Sequence, residues 1–415
     1  MNAAHIVVGL GWGDEGKGGI VDFLTRQQHA KLVVRFNGGP QAAHAVVLPD
    51  GRSHSFHLWG SGTFAGARTH LSDQVLIDPF LMRREAAELV ALGIDHPWGR
   101  ISVDPRCRVI TPYQQIMNRL REVARGTGRY GTCGLGIGET VQDAKAGAVL
   151  MACELLRPEI VSDRLHMFRR LKIKQAEAWR GLQGTEELFT LLDDARLIPV
   201  YLSHYKTLAT LFRFYVTNAV VGETDGTVVF EGAQGVLLDE TAGFAPHYTW
   251  STTTAHNAHV ICAEDDVNDV TVTGVLRAYA TRHGVGPFPT EDRTMPMRGR
   301  HDSANEWQGE FRVGAFDVPL SAYALKACPV DGLALTHLDA VTSRWPVAIS
   351  YLPKHKRVSM RYAIRRATPV LVHVPNADIF VSVVSTALKT PVTIRSTGTT
   401  YQDKRSVRDA VVATI

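Results

Sequence analysis

Residues 5–24 read His-Ile-Val-Val-Gly-Leu-Gly-Trp-Gly-Asp-Glu-Gly-Lys-Gly-Gly-Ile-Val-Asp-Phe-Leu. Ile6–Val8 has the look of a short buried strand and Ile20–Leu24 of an opening helix, with a glycine-rich turn between them. Such a turn aims several backbone N–H groups at one point before a helix N-terminus, and that point binds phosphate. Gly11 to Lys17 fits G-x4-G-K, the core of a P-loop. The hydroxyl residue that usually follows the lysine and ligates Mg²⁺ is Gly18 here. Instead a carboxylate, Asp14, stands inside the loop. An acid there would repel phosphate, so its presence makes sense if it binds the metal or takes a proton. The stretch also fits the dinucleotide fingerprint G-x-G-x-x-G. That motif wants an acid about 20 residues on, at the end of the next strand. The next strand, Lys31–Phe36, ends in Asn37-Gly38-Gly39. Lys17 in its P-loop place argues against both the dinucleotide motif and a bare structural turn.

Further residues along the chain could share that chemistry. After the second strand come Asn37, Gln41 and, just before another strand, His44. A lone histidine is more often structural than catalytic. However, strands one and two of a parallel sheet tend to be neighbours, and the loops after them open at the same carboxyl edge. That would bring Asp14 and His44 together. Tyr130–Gly138 holds four glycines around Thr132 and Cys133; it suits a second phosphate loop or a surface loop equally. Phe230-Glu231-Gly232-Ala233-Gln234-Gly235 runs again from strand into glycine turn. The Gln234 amide can both donate and accept, which suits a lactam such as a 6-oxopurine, or it is an ordinary turn residue. Thr249-Trp250-Ser251-Thr252-Thr253-Thr254 is rich in hydroxyls that suit phosphate or ribose, or it is a plain strand end. Arg312, alone among glycines, suits a carboxylate by bidentate pairing, though a surface ion pair is the commoner fate. Asp339 follows Leu335-Thr336-His337-Leu338; it can accept two N–H groups from a guanine edge or cap a helix.

The elements that must position these residues alternate. Strand-like apolar runs are Ile6–Val8, Leu32–Phe36, Gln74–Ile77, Val228–Phe230, Val270–Val275, Gly332–Leu335 and Val347–Ser350, with helical patterns such as Pro79–Ala91 between several of them. This predicts an α/β fold with a central, mostly parallel sheet flanked by helices. Residues 110–220 are longer, charged and helix-rich (Gln114–Arg125, Gly147–Leu156, Asp163–Leu182), which predicts a helical lobe inserted into one domain spanning 1–415. A net charge of +4 implies no strongly charged partner such as nucleic acid. The five cysteines, odd in number and without C-x-x-C, predict a reducing cytoplasm and argue against a zinc cluster. No apolar leader precedes the first strand, and no run of about 18 apolar residues predicts a membrane span.

Taken together these segments resemble the adenylosuccinate synthetase family, from Gly11 to Gly398. The likeness is specific in Gly-Trp-Gly-Asp-Glu-Gly-Lys-Gly, in Phe-Glu-Gly-Ala-Gln-Gly with its following Leu-Leu-Asp, and in Ala-Thr-Arg-His-Gly-Val-Gly-Pro-Phe-Pro-Thr-Glu. It is looser in Gly-Thr-Cys-Gly-Leu-Gly-Ile-Gly, Leu-Thr-His-Leu-Asp and Ser396-Thr397-Gly398. The resemblance implies a P-loop-like fold, a homodimer, and the joining of L-aspartate to C6 of IMP through a 6-phosphoryl intermediate. GTP and Mg²⁺ would drive the reaction, giving adenylosuccinate, GDP and phosphate. Asp14 would be the base and, with Ala43, a metal ligand. His44 would be the acid, and Lys17 and Gln234 would complete the catalytic set. Gly13, Glu15, Gly16, Gly18, Asp339, Ser396, Thr397 and Gly398 would hold GTP. Asn37, Gln41, Thr132, Cys133 and Thr249 would hold the acceptor nucleotide, and Arg312 the amine donor.

The chain departs from the family pattern in places. Gly-Lys-Gly-Lys becomes Gly-Lys-Gly-Gly, so Gly19 stands where a lysine is expected. Asn-Ala-Gly-His-Thr becomes Gln41-Ala42-Ala43-His44-Ala45, and Thr-Lys-Leu-Asp becomes Thr336-His337-Leu338-Asp339. The phosphate-binding arginine expected from across the dimer has no clear match near Asp143–Gly147. The alternatives are the same chemistry on GMP or dGMP, with ATP as a possible donor, or a catalytically silent nucleotide-binding relative.

Overall fold

The computed structural model describes residues 3–295, 307–352 and 360–407. Its centre is a nine-stranded sheet: β1 (Ala3–Gly9), β2 (Leu32–Arg35), β3 (Arg68–Leu71), β4 (Ile101–Val103), β5 (Thr227–Glu231), β6 (Asp269–Arg277), β7 (Gly332–Thr336), β8 (Val392–Ser396) and β9 (Lys404–Ser406). The order is β9-β8-β7-β6-β1-β5-β2-β3-β4. Every pair is parallel except the edge pair β8–β9. The central strands are buried on both faces, which explains why their sequences are nearly unbroken apolar runs. Along β1, Ile6 and Val8 enter one core cluster with Val34 and Phe230. Val7, facing the other way, packs with Val33, Val229 and helix α1 (Lys17–Gln27) through Ile20, Val21 and Leu24. That is the two-residue period of a pleated strand covered on both sides.

The expected mostly parallel sheet is present, with corrections of detail. The first two predicted strands are not neighbours: β5 lies between β1 and β2 and pairs with both. Hydrophobic pattern identifies strands but not their order, and β5 arrives from nearly 200 residues downstream. Gln74–Ile77 is not a strand of this sheet. The sheet strand is Arg68–Leu71, whereas Leu76–Ile77 pairs with Arg108–Val109 in a separate ladder. Val347–Ser350 belongs to a second sheet made of Phe316–Asp317, Trp345–Leu352 and Thr368–Val374. Between β4 and β5 lie helices Pro112–Ala124, Ile137–Lys145, Pro158–Ala176, Glu186–Asp193, Leu197–Ala209 and Thr217–Gly222. Four of them, Pro112–Ala124, Pro158–Ala176, Glu186–Asp193 and Leu197–Ala209, share a core around Tyr113, Leu120, Phe168, Phe189 and Tyr205, joined to Leu71 and Val103 of the sheet. Gly147–Leu156, predicted helical, holds only a 3₁₀ turn at Ala152–Leu156, because Met151 bridges to Arg108. The helix predicted at Asp163–Leu182 starts earlier, behind Pro158, and ends at Ala176. No helix among the described residues is long and apolar enough to cross a membrane.

Packing has buried several imidazoles. Burial pushes His5, His44 and His70 down to about 4 and His337 to about 3, against partial opposition from nearby carboxylates at the first three. These groups bind fewer protons folded than unfolded. The stability they contribute is therefore present above pH ~6.5 and is lost as pH falls toward 4. The expected loss is of order 1 kcal/mol per group per pH unit. Thermal melting recorded from pH 7 to pH 5 should show a steep fall, shallower in a His70→Asn variant. A melting temperature flat over that range would refute the assignment.

Candidate active site

Because the strands are parallel, the segments after β1, β2, β5, β6 and β7 all leave one edge of the sheet. The loop after β1 is built around a carboxylate. Glu15 Oε1 accepts the N–H groups of Gly11 and Gly13 at 2.9 Å each, and its Oε2 pairs with Lys17 Nζ at 2.5 Å. Glu15 and Lys17 are both buried. The Glu15 carboxylate needs room from its neighbours. A Cβ on Gly235 would lie 2.3 Å from the Gly11 carbonyl oxygen and 2.4 Å from Glu15 Oε1. Gly235→Ala is thus expected to displace the loop, costing about 1–3 kcal/mol and most nucleotide binding. A melting curve and binding isotherm equal to the parent's would disprove the role given to this close approach. Gly16, at φ 92°, starts α1, whose N-terminus faces the same edge.

Asp14 sits at the tip of the loop with a left-handed backbone (φ 58°) and a side chain 38% exposed. Its Oδ2 lies 3.1 Å from His283 Nε2. Crowding by protein pushes the carboxyl up, but the His283 hydrogen bond and the charges of His283, Lys17 and Arg277 outweigh that and hold it below the usual carboxylate range. Asp14 is thus ionised and able to accept a proton. Arg277 Nη1 donates to the Asp14 carbonyl at 3.4 Å.

His44 opens the strand His44–Val47, whose backbone lies against Gly18; a Cβ there would be 2.9 Å from the His44 carbonyl carbon. The imidazole is buried, and Nδ1 meets Glu231 Oε1 at 2.5 Å. Glu231 ends β5. It also accepts the Ser61 N–H at 2.9 Å and the Ser61 hydroxyl at 2.5 Å. Burial would raise this acid, but His44, Arg35 and Ser61 bring it down to about 2. A permanently ionised Glu231 fixes the Nδ1 proton of His44, leaving Nε2 for a ligand. Lys17 acts electrostatically on both Asp14 and His44.

Gln234, left-handed at φ 59°, has both amide atoms buried without a hydrogen-bond partner. Both amide atoms of Gln41 are in the same state. Buried polar atoms are almost always paired, so these two amides are able to receive polar groups of a ligand. Asn37 is used differently. It donates to the Ala233 carbonyl at 3.1 Å and accepts the Ala233 N–H at 2.7 Å, clamping the loops after β2 and β5 together. Ser251 Oγ accepts the Gly38 N–H at 3.1 Å, bringing the hydroxyl-rich segment alongside, and the Thr249 N–H donates to Leu238. Thr132 Oγ1 accepts from Asn118. Its loop with Cys133 lies against the His283 segment, since a Cβ on Gly131 would meet the Gln308 carbonyl at 2.9 Å and Gly284 Cα at 3.4 Å.

Arg312 is turned into its own neighbourhood, pairing with Glu291 Oε2 at 2.5 Å and donating to the Gly284 and Gly286 carbonyls. Asp339 is exposed in a 3₁₀ turn after β7. That turn is joined to the phosphate loop, because Thr336 Oγ1 donates to the Glu15 carbonyl at 2.6 Å. Ser396 Oγ donates to the Gly398 carbonyl, and the Thr397 N–H donates to the Asp403 carbonyl. Among the described residues no group of three or more His, Cys, Asp or Glu could hold a metal ion. Asp14, a single exposed carboxylate, suits Mg²⁺, which keeps its waters and binds through one or two carboxylates and substrate phosphates; Ala43 is exposed too.

Glu231 and His283 stand in the sequence only as members of longer glycine-containing motifs. The signal available for Glu231 was an acid closing a buried strand; for His283 it was a histidine before Gly284-Val285-Gly286.

A family model described as adenylosuccinate synthetase matches residues 6–376. The adenylosuccinate synthetase of Anaeromyxobacter sp. (strain K) is 33% identical over 393 residues, covering 89% of this chain and 86% of that protein. That of Thermobifida fusca (strain YX) is 32% identical over 389 residues, covering 88% and 86%. Among solved structures, the fully ligated adenylosuccinate synthetase of Plasmodium falciparum superposes with a TM-score of 0.78 at 19% identity, covering 97% of this chain and 99% of that one. The cyanophage S-2L succinoaminodeoxyadenylate synthetase, bound to dGMP and dATP as an energy donor, superposes with a TM-score of 0.62 at 15% identity, covering 98% and 95%.

Proposed function

The chain belongs to the adenylosuccinate synthetase family of C–N bond-forming ligases, and on that premise we propose that it joins L-aspartate to C6 of IMP at the expense of GTP. What supports this is a pair of differently poised groups that both feel the charge of Lys17: an ionised Asp14 held by His283, and His44 held by Glu231. Asp14 takes the N1 proton of the 6-oxopurine, and the charge so released moves to O6. Gln234, whose amide lacks a partner, reads the lactam edge. O6 attacks the γ-phosphorus of the donor, forming a P–O bond while the bond to the β-phosphate breaks. The backbone N–H groups of the loop and Lys17 stabilise the transferring phosphoryl. The amine of aspartate then displaces phosphate from C6.

In the unliganded protein burial keeps His44 neutral. A phosphoryl anion against Nε2 favours its protonated form, and the ionised Glu231 supports that form from the other side. Mg²⁺, held by Asp14 and the Ala43 carbonyl, would supply positive charge to the phosphate oxygens. Asp339 with Ser396–Gly398 reads the donor base, Gln41, Thr132, Cys133 and Thr249 hold the acceptor nucleotide, and Asn37 keeps the loops beneath it together. Arg312 receives the amine donor's carboxylate after exchanging it for Glu291. The enzyme works as a homodimer in the cytoplasm; its five cysteines are unpaired, which suits that compartment.

The purified protein supplied with aspartate, Mg²⁺ and GTP or ATP, and offered IMP, GMP or dGMP, tests this. An ultraviolet absorbance change with IMP and GTP is expected. Change with guanine nucleotides alone, or binding without turnover, would overturn the proposal.

A further inference from the structure

The first turn of α1 carries Gly19. The space above Gly19 is not empty. A Cβ at this position would lie 3.0 Å from Cε and 3.2 Å from Nζ of Lys404. Lys404 begins β9, far away in sequence, and is only 6% exposed. Its Nζ donates to the Thr400 carbonyl at 2.8 Å and the Thr399 carbonyl at 3.4 Å. These carbonyls belong to the loop that continues from Ser396-Thr397-Gly398. The loop is closed by Asp403, which accepts from the Thr400 N–H and hydroxyl through Oδ2 and from the Thr397 N–H through its carbonyl. Asp22 of α1, Asp403 and Asp339 all act on the ammonium electrostatically. A buried ammonium is therefore placed between the phosphate-loop helix, the turn carrying Asp339 and the loop carrying Ser396.

We infer that Lys404 is a positioning residue for the phosphoryl donor, a lysine supplied from the opposite end of the chain that occupies the slot over Gly19 and fixes the base-reading loop to the phosphate loop. The inference rests on the reading of this edge as the donor site. Base and phosphates of one nucleotide must be held at a set separation, and Lys404 is the strut that sets it. Loss of a buried charged hydrogen-bond donor is expected to lower donor affinity about tenfold.

Lys404→Met keeps the aliphatic stem and removes the ammonium. It is expected to raise KM for GTP about tenfold, leaving kcat and the KM values for IMP and aspartate near those of the parent. Gly19→Lys combined with Lys404→Ala returns the charge from the helix side and is expected to restore most of the donor KM. A donor KM unchanged in Lys404→Met, a parallel rise for all three substrates, or no recovery in the double variant would each overturn the inference. Calorimetric binding of GTP reads the same tenfold change without turnover. A parent that binds GTP but fails to turn over therefore sinks the ligase reading and leaves Lys404 judged on affinity alone.

Discussion

An Asp14→Asn variant is expected to lose about 10³-fold in kcat while binding both nucleotides nearly as well as the parent, because a general base contributes about 10²–10⁴-fold. The asparagine matches the carboxylate in shape and can still meet His283, so the loop should keep its form. The capacity to take a proton is lost, and with it the negative charge that Asp14 offers Mg²⁺, so the rates are read at saturating Mg²⁺. Asp14 suits this test because its side chain is exposed while the loop is braced by another acid, Glu15, which holds Gly11, Gly13 and Lys17. Changing Glu15 would mix catalysis with folding; changing Asp14 does not. Rates would be read under saturating nucleotide, with affinity from calorimetry. A residual rate within tenfold of the parent would remove Asp14 as the base.

Glu231→Gln is the second large effect expected. The carboxylate raises the proton affinity of His44 against burial. With a neutral amide that support is gone, the protonated imidazole becomes rarer, and a step needing it slows by about 10–10²-fold. The sign follows from the charge: removing a neighbouring anion lowers the histidine further, so the alkaline limb of the rate profile moves to lower pH. The amide also presents an N–H₂ to the Ser61 donors, which costs some stability. Melting measured in parallel separates the two effects. A rate loss that leaves the pH profile in place would mean that Glu231 only supports the fold.

The form of the loop after β1 was legible in residues 5–24, because its geometry is local: glycines set the backbone, and a helix starts at its end. Asp14 was legible for the same reason, as the acid at its tip. Glu15 was less so. Its place inside the loop as acceptor for two N–H groups and partner of Lys17 depends on side-chain direction, which spacing does not reveal. Residue type left Arg312 suited to a carboxylate ligand or to an ion pair; the fold gives its guanidinium Glu291 and two carbonyls, partners brought near by the pairing of Ala280–His283 with Phe311–Gly314.

By itself the sequence determined the elements that recur at short range: the buried strands, the glycine turns, the helix starts, and with them an α/β fold whose loops gather at one edge. The tertiary structure decided the order of the strands. By inserting β5 between β1 and β2 it set Glu231 against His44, and through the strand that follows β6 it set His283 against Asp14. Hydrogen bonding along the chain imposes a local period that a sequence displays, whereas the pairing of distant strands depends on which packing buries the whole core at once. That choice leaves no mark at any single position.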